Sequence, residues 1–252
     1  MPVTALAECH VDVAAAGGVG ELAGVLACDG VALFDGVPAE QQLLQLAVRL
    51  GRLVPHRDST GSGLTVITDR GDTRPSAGQA GFSRHALAPH SDCSDLPRPP
   101  LLVAMTCIRP AVRGGDCVLV DGRAVHDELA TSAPEALADL SARRGAYFGG
   151  AAGIVGNVFE PGPSGLVGIR LRRDELARFA PQTQRRLAVL ARIIERHTVT
   201  VPTRAGSGYV VNNHRWLHGR TAFTGARRMH RALIDPRPVW RIPAGFVPVA
   251  AS

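Results

Sequence analysis

The sequence contains no lysine: all 28 residues of the Lys+Arg count are arginine. That absence excludes a Walker A lysine and any Schiff-base lysine for pyridoxal phosphate or aldolase chemistry. No G-x-S-x-G elbow and no usable dinucleotide loop is present. The nearest approach to such a loop is Gly18-Val19-Gly20-Glu21-Leu22-Ala23, and its only candidate ribose acid, Asp35, follows too closely for a full helix between them. The run Gly150, Gly153, Gly156 has the wrong spacing. The 5 cysteines are odd in number and include no C-x-x-C, so neither a disulfide framework nor a zinc knuckle is expected. No basic-then-apolar leader opens the sequence, and the longest apolar stretch, near Leu101 to Ile108, is too short to span a bilayer. The expectation is a reduced, cytoplasmic compartment and no membrane partner.

What is present supports a globular enzyme. At 252 residues and 45% hydrophobic content, one sizeable core is expected, with residues 1–252 forming a single domain. Gly 28 and Pro 18 favour a loop-rich or β-rich fold. The net charge of +6 is scattered without a run of like charges, so no nucleic-acid partner is expected. Arginine-for-lysine usage fits a GC-rich coding sequence, but arginine also favours planar, bidentate contacts to carboxylate or phosphate.

Local patterning predicts short strands at residues 31–35, 64–68, 198–201, 209–212 and 229–234. Residues 101–108 and 117–120 read as paired strands joined by turn chemistry at Arg113-Gly114-Gly115-Asp116. Helices are predicted after Pro38 up to Leu50, in pieces over 126–142, and from about Thr183 to His197, where Leu187, Leu190, Ile193 and Ile194 share a face. Residues 145–170 read as glycine-rich with short strands, and residues 70–88 as a long loop of the kind that forms lids or binding sites. Without regular βα alternation, an antiparallel β-core is expected.

Three groups of residues could carry chemistry. His90-Ser91-Asp92 would put two ligand side chains on one face of a strand, so they could converge on one ion. Two histidines and one carboxylate on one octahedral face suit a non-haem Fe(II) oxygenase, but the third ligand must come from elsewhere in the chain. His214 and His218 are four apart. The strand-like Tyr209-Val210-Val211 before them implies a separation of about 13 Å, so at most one is a ligand. Arg227, Met229 and Arg231 would share a strand face, so a guanidinium could enter the metal cavity and clamp a dicarboxylate.

Three blocks of sequence resemble the taurine dioxygenase/clavaminate synthase group of Fe(II), 2-oxoglutarate-dependent oxygenases. They are Leu87-Ala88-Pro89-His90-Ser91-Asp92, then Cys107-Ile108-Arg109-Pro110-Ala111 with Gly114-Gly115-Asp116, then the run from Val211 through Phe223 that ends in Arg227 and Arg231. The resemblance implies a mainly β fold with flanking helices, a double-stranded β-helix or jelly roll. It implies Fe(II) held by His90, Asp92 and His218, with His214 a framework residue. Arg227 is implied to pair with the distal carboxylate of 2-oxoglutarate, with Arg228 the alternative, and Arg231 to face co-substrate or substrate. Cys117 stands where the group often has Thr or Ser, and is a weaker hydrogen-bond donor for 2-oxoglutarate. The implied activity uses O2 and 2-oxoglutarate to hydroxylate an unactivated C–H of a small molecule, an amino acid or an amino-acid-derived natural-product intermediate. Desaturation, epoxidation and a carrier-tethered or peptide substrate are alternatives, and a non-catalytic jelly-roll binding protein is the rival of a different class. Asp92 argues against a halogenase, which lacks the carboxylate ligand. Arg84 and His85 of the 70–88 loop are expected to line the substrate site.

Overall fold

A computed structural model describes residue 6, residues 8–72 and residues 75–249. Eleven strands make two facing sheets. In chain order they are β1 (His10–Val11), β2 (Val31–Phe34), β3 (Gly51–Leu53), β4 (Thr65–Thr68), β5 (Leu87–His90), β6 (Leu102–Arg109), β7 (Cys117–Asp121), β8 (Thr198–Val201), β9 (Gly208–Asn212), β10 (Trp216–Arg220) and β11 (Arg228–Pro236). The larger sheet runs β1-β2-β9-β6-β11-β3, with β4 also paired to β11; the smaller runs β8-β7-β10-β5. Every pairing in them is antiparallel except β1 with β2. This is the expected jelly roll.

Strand alternation sorts the apolar residues into three layers of core. Val103, Met105 and Cys107 of β6, Tyr209 and Val211 of β9, and Met229 and Leu233 of β11 point inward. There they meet Leu119 of β7 and Trp216 of β10 from the smaller sheet. The opposite face of the larger sheet, including Ala104, Val210 and Ile234, is covered by α1 (Gly18–Cys28) and α2 (Glu40–Leu50) through Leu22, Leu26, Leu43 and Leu50. The outer face of the smaller sheet, with Val120 and Leu217, is covered by α3 (Gly122–Ser132), α4 (Pro134–Ser141) and α5 (Pro181–Arg196). Because helices cover both outer faces, β6 and β7 are buried on both sides, which is why they read as continuous apolar runs. No helix among the described residues is long and apolar enough to cross a membrane.

One expectation needs correction. Strands β6 and β7 do not pair: they lie in different sheets, and the chain crosses between them through Gly114 and Gly115, both at positive φ (66° and 75°). The Gly18–Cys28 segment, which carries no loop function, is a helix packed on the larger sheet.

Candidate metal centre and its cavity

Strands β5 and β10 are neighbours, and their register sets His90 directly opposite His218. The two rings lie 4.6 Å apart between centroids. Asp92 reaches them from a turn and not from a continued strand, because β5 ends at His90. Ser91 is drawn away to the 169–171 segment: its N–H donates to Leu171 O and its Oγ accepts from Leu171 N–H, both at 2.8 Å. Asp92 is held by Asn213, and Cys93 then turns in the left-handed region at φ 53°. Asp92 Oδ1 comes to 3.6 Å from His90 Nε2, and Asp92 Oδ2 to 3.8 Å from His218 Nε2.

Those separations are too long for hydrogen bonds. Three donor atoms therefore sit within 4.8 Å of one another without bonding each other, as a shared cation requires. The protonation states agree. His90 Nδ1 lies 3.0 Å from Ala88 O; donation there leaves Nε2 with its lone pair, the usual second hydrogen bond of a ligating histidine. Burial pushes His218 down to about 3, with Asp92 opposing and His90 and Arg231 adding to the drop, so its imidazole is neutral. Burial alone would raise the Asp92 carboxyl; Arg231, His90 and His218 outweigh it and hold Asp92 well below the usual carboxylate range. Two imidazoles and one carboxylate suit a divalent iron.

The three residues line a cavity of about 480 Å³. Arg231 enters it from β11, and its Nη1 donates to both Asp92 oxygens at 3.1 and 3.0 Å. A carboxylate offers about four lone-pair directions, so this pair does not exhaust Asp92. Arg227 is buried in the same wall, and its Nε donates to Gly115 O at 3.0 Å. A Cβ at Gly115 would lie 2.9 Å from Arg227 Cδ, so the glycine turn makes room for this arginine. Arg228 is exposed and does not line the cavity. Cys117 does line it, but its thiol faces Thr203 Oγ1 at 3.6 Å and burial raises its pKa. His214 lies in the turn between β9 and β10, with Nε2 3.2 Å from Pro99 O, outside the cavity.

Arg84 and His85 also fall outside the lining, against expectation. Both are exposed, and Arg84 pairs with Asp69 at 2.5 Å. Other parts of that loop, including Gly78, Gly81 and Phe82, do face the cavity; residues 73 and 74 lie outside the described residues. The loop is fixed by Arg220 of β10, a residue singled out by no sequence signal beyond its place in the third block. Its guanidinium donates to the carbonyls of Ala80, Gly81, Ser83 and His85. Burial lowers Arg220 to about 10, with Arg227 adding to the drop, so it stays a cation at neutral pH. Tyr209, also unforeseen, lines the cavity beside His218, and burial raises its phenol well above the usual value.

The profile of the taurine catabolism dioxygenase TauD, TfdA family matches residues 7–233. The chain belongs to that family. Membership makes it a non-haem iron, 2-oxoglutarate-dependent dioxygenase, as its sequence blocks suggest. Among solved structures, this family member is similar to the non-heme iron oxygenase OrfP in complex with Fe, succinate and (3R,4R)-dihydroxy-L-Arg. The TM-score is 0.67 at 14% identity, covering 87% of this chain and 81% of that one. OrfP in complex with Fe and alpha-ketoglutaric acid gives a TM-score of 0.64 at 15% identity, covering 84% and 76%. An asparagine oxygenase in complex with Fe(II), 2S,3S-3-hydroxyasparagine and succinate gives 0.63 at 15% identity, covering 92% and 79%. No curated protein sequence matches this TauD/TfdA member significantly.

Proposed function

We propose that this dioxygenase hydroxylates an unactivated C–H of an amino acid or an amino-acid-derived natural-product intermediate, with Fe(II) held by His90, Asp92 and His218. The observation that carries this reading is the gathering of those three donor atoms within 4.8 Å, in the wall of a cavity that also contains Arg227 and Arg231. Iron with 2-oxoglutarate and O2 supplies the oxidation, which converts C–H to C–OH as the co-substrate becomes succinate and CO2.

The protein's part is binding and orientation. Arg227 is fixed through Nε to Gly115 O, and its terminal nitrogens present a fork to the distal carboxylate of 2-oxoglutarate. Arg231 keeps Asp92 ionised and stands beside the reacting groups. Cys117 contributes packing more than hydrogen bonding, since its thiol is a weak donor already turned to Thr203. The amino-acid substrate class is supported by OrfP and the asparagine oxygenase, whose structures hold hydroxylated arginine and asparagine. The proposed partner is thus a small molecule. The thiols of Cys28, Cys93, Cys107 and Cys117 are not in disulfides, which supports a cytoplasmic setting.

Anaerobic addition of Fe(II) and 2-oxoglutarate should give a weak visible charge-transfer band, and Asp92→Ala should abolish both the band and succinate release. An absent band in metal-loaded wild type would sink the assignment. Arg227→Ala should raise the 2-oxoglutarate requirement far more than Arg228→Ala; the reverse result would move the anchoring role to Arg228.

A further inference from the structure

Strand alternation turns Tyr209 of β9, Met105 of β6 and Arg231 of β11 toward the cavity in one row, since Met105 is the Cα partner of both others. Tyr209 is 3% exposed, yet its hydroxyl makes no hydrogen bond to any described residue. A phenylalanine would fill the same core position without burying a hydroxyl, and a tyrosine hydroxyl so placed ordinarily has a partner. The hydroxyl is therefore suited to a molecule that the cavity receives.

Arg227 is in the same condition. It is 4% exposed, its Nε is engaged by Gly115 O, and its Nη1 and Nη2 bond to no described residue. Cys117 lines the cavity as well, but its thiol is the weaker donor and faces Thr203 Oγ1. The phenol oxygen of Tyr209 lies within electrostatic reach of Cys117, Asp92, Arg227 and Arg231 together, and the Tyr209 ring is 6.3 Å from that of His218. Tyr209 thus neighbours the metal ligands and the Arg227 fork at once. A phenol is protonated at neutral pH and donates one hydrogen bond. A carboxylate offers about four lone-pair directions, enough for a guanidinium fork and one phenol together. Two buried side chains with donors and no acceptor in the fold match such a ligand.

We infer that Tyr209 is a co-substrate-binding residue, its hydroxyl donating to the same carboxylate of 2-oxoglutarate that Arg227 anchors. This rests on the oxygenase reading with Arg227 as the anchor. It makes the larger sheet supply both contacts, the phenol from β9 and the guanidinium from just before β11.

The test uses enzyme loaded with Zn(II) in place of iron, titrated in a calorimeter with 2-oxoglutarate and with 2-oxopentanoate, which has the same carbon chain without the distal carboxylate. Tyr209→Phe removes only the hydroxyl. It should weaken 2-oxoglutarate roughly tenfold and leave 2-oxopentanoate as in wild type. Wild-type 2-oxoglutarate affinity in Tyr209→Phe overturns the inference. So does an equal loss for both 2-oxo acids, which would put the contact at the metal end. Failure of wild-type enzyme to bind 2-oxoglutarate would sink the oxygenase reading instead. Adding Cys117→Thr to Tyr209→Phe offers the same carboxylate a hydroxyl from the facing sheet and should restore most of the lost affinity. A double variant no tighter than Tyr209→Phe overturns the placing of Tyr209 and Cys117 around one carboxylate.

Discussion

Asn213 holds the peptide groups on both sides of the Asp92 α-carbon. Its Oδ1 accepts from Asp92 N–H at 2.8 Å, and its amide donates to Asp92 O and Pro100 O, each at 3.0 Å. The clamp matters because Cys93, the next residue, sits in a left-handed conformation that costs a non-glycine residue roughly 1–2 kcal/mol. Asn213→Ala would leave three buried main-chain groups unpaired and should cost about 1–3 kcal/mol of stability. It should also weaken metal binding roughly tenfold, by analogy with other supporting shells. Thermal unfolding of metal-free protein and a Co(II) titration measure the two effects separately; unchanged Co(II) affinity would make Asn213 merely structural. The sequence spells Asn213 within a long motif, yet its partner is 121 positions away, so the clamp has no local signature. The same holds for Arg231: strand alternation places it on the face of Arg227, but the bond to Asp92 depends on how the two sheets meet. Arg84 illustrates the converse. Its loop is readable as a loop, while the direction of its side chain is set by Asp69 and by the path Arg220 imposes.

At the scale of elements, the centre depends on how closely β5 approaches β10. A Cβ at Gly219 would lie 2.4 Å from Leu87 O, so no side chain fits between the strands that carry His90 and His218. Gly219→Ala should push β5 outward and weaken metal binding while most of the β-sheet persists. A metal titration together with far-ultraviolet circular dichroism would show this, and wild-type metal affinity in the variant would contradict it. Most strands and three helical regions are legible because their apolar periodicity is strong: Leu43, Leu46 and Leu50 of α2 and Leu190, Ile193 and Ile194 of α5 are all buried. Helix α1 is not legible, since its glycines at 18, 20 and 24 interrupt the pattern. The separation of β6 from β7 is hidden for another reason. Turn residues such as Gly114 and Gly115 show that the chain bends, not which sheet it joins next.

At the scale of the whole molecule, stability should fall early as the solution is acidified. Burial is the main cause lowering His56, His214 and His230 below the ordinary 6.5. Each stays neutral in the fold where the unfolded chain would protonate, so below 6.5 the unfolded state binds more protons and is favoured. Asp58 and Asp174 are also lowered, despite burial acting the other way, because Arg70 and Arg172 respectively bond to them; they add to the loss at lower pH. The unfolding midpoint of metal-free protein should therefore decline between about pH 7 and pH 5.5, the window set by the histidines. A flat midpoint over that range would show that these side chains are not buried neutral.

Arg220 fastens the 80–85 wall to the strand that carries His218, through four carbonyls and a charge that neutral pH cannot remove. Swinging that wall outward would break all four of these charge-assisted bonds and leave the guanidinium facing the like charge of Arg227. Opening the chamber along this edge would require those four bonds to be given up together, so the 80–85 wall stays with β10 whenever the metal ligands are in register.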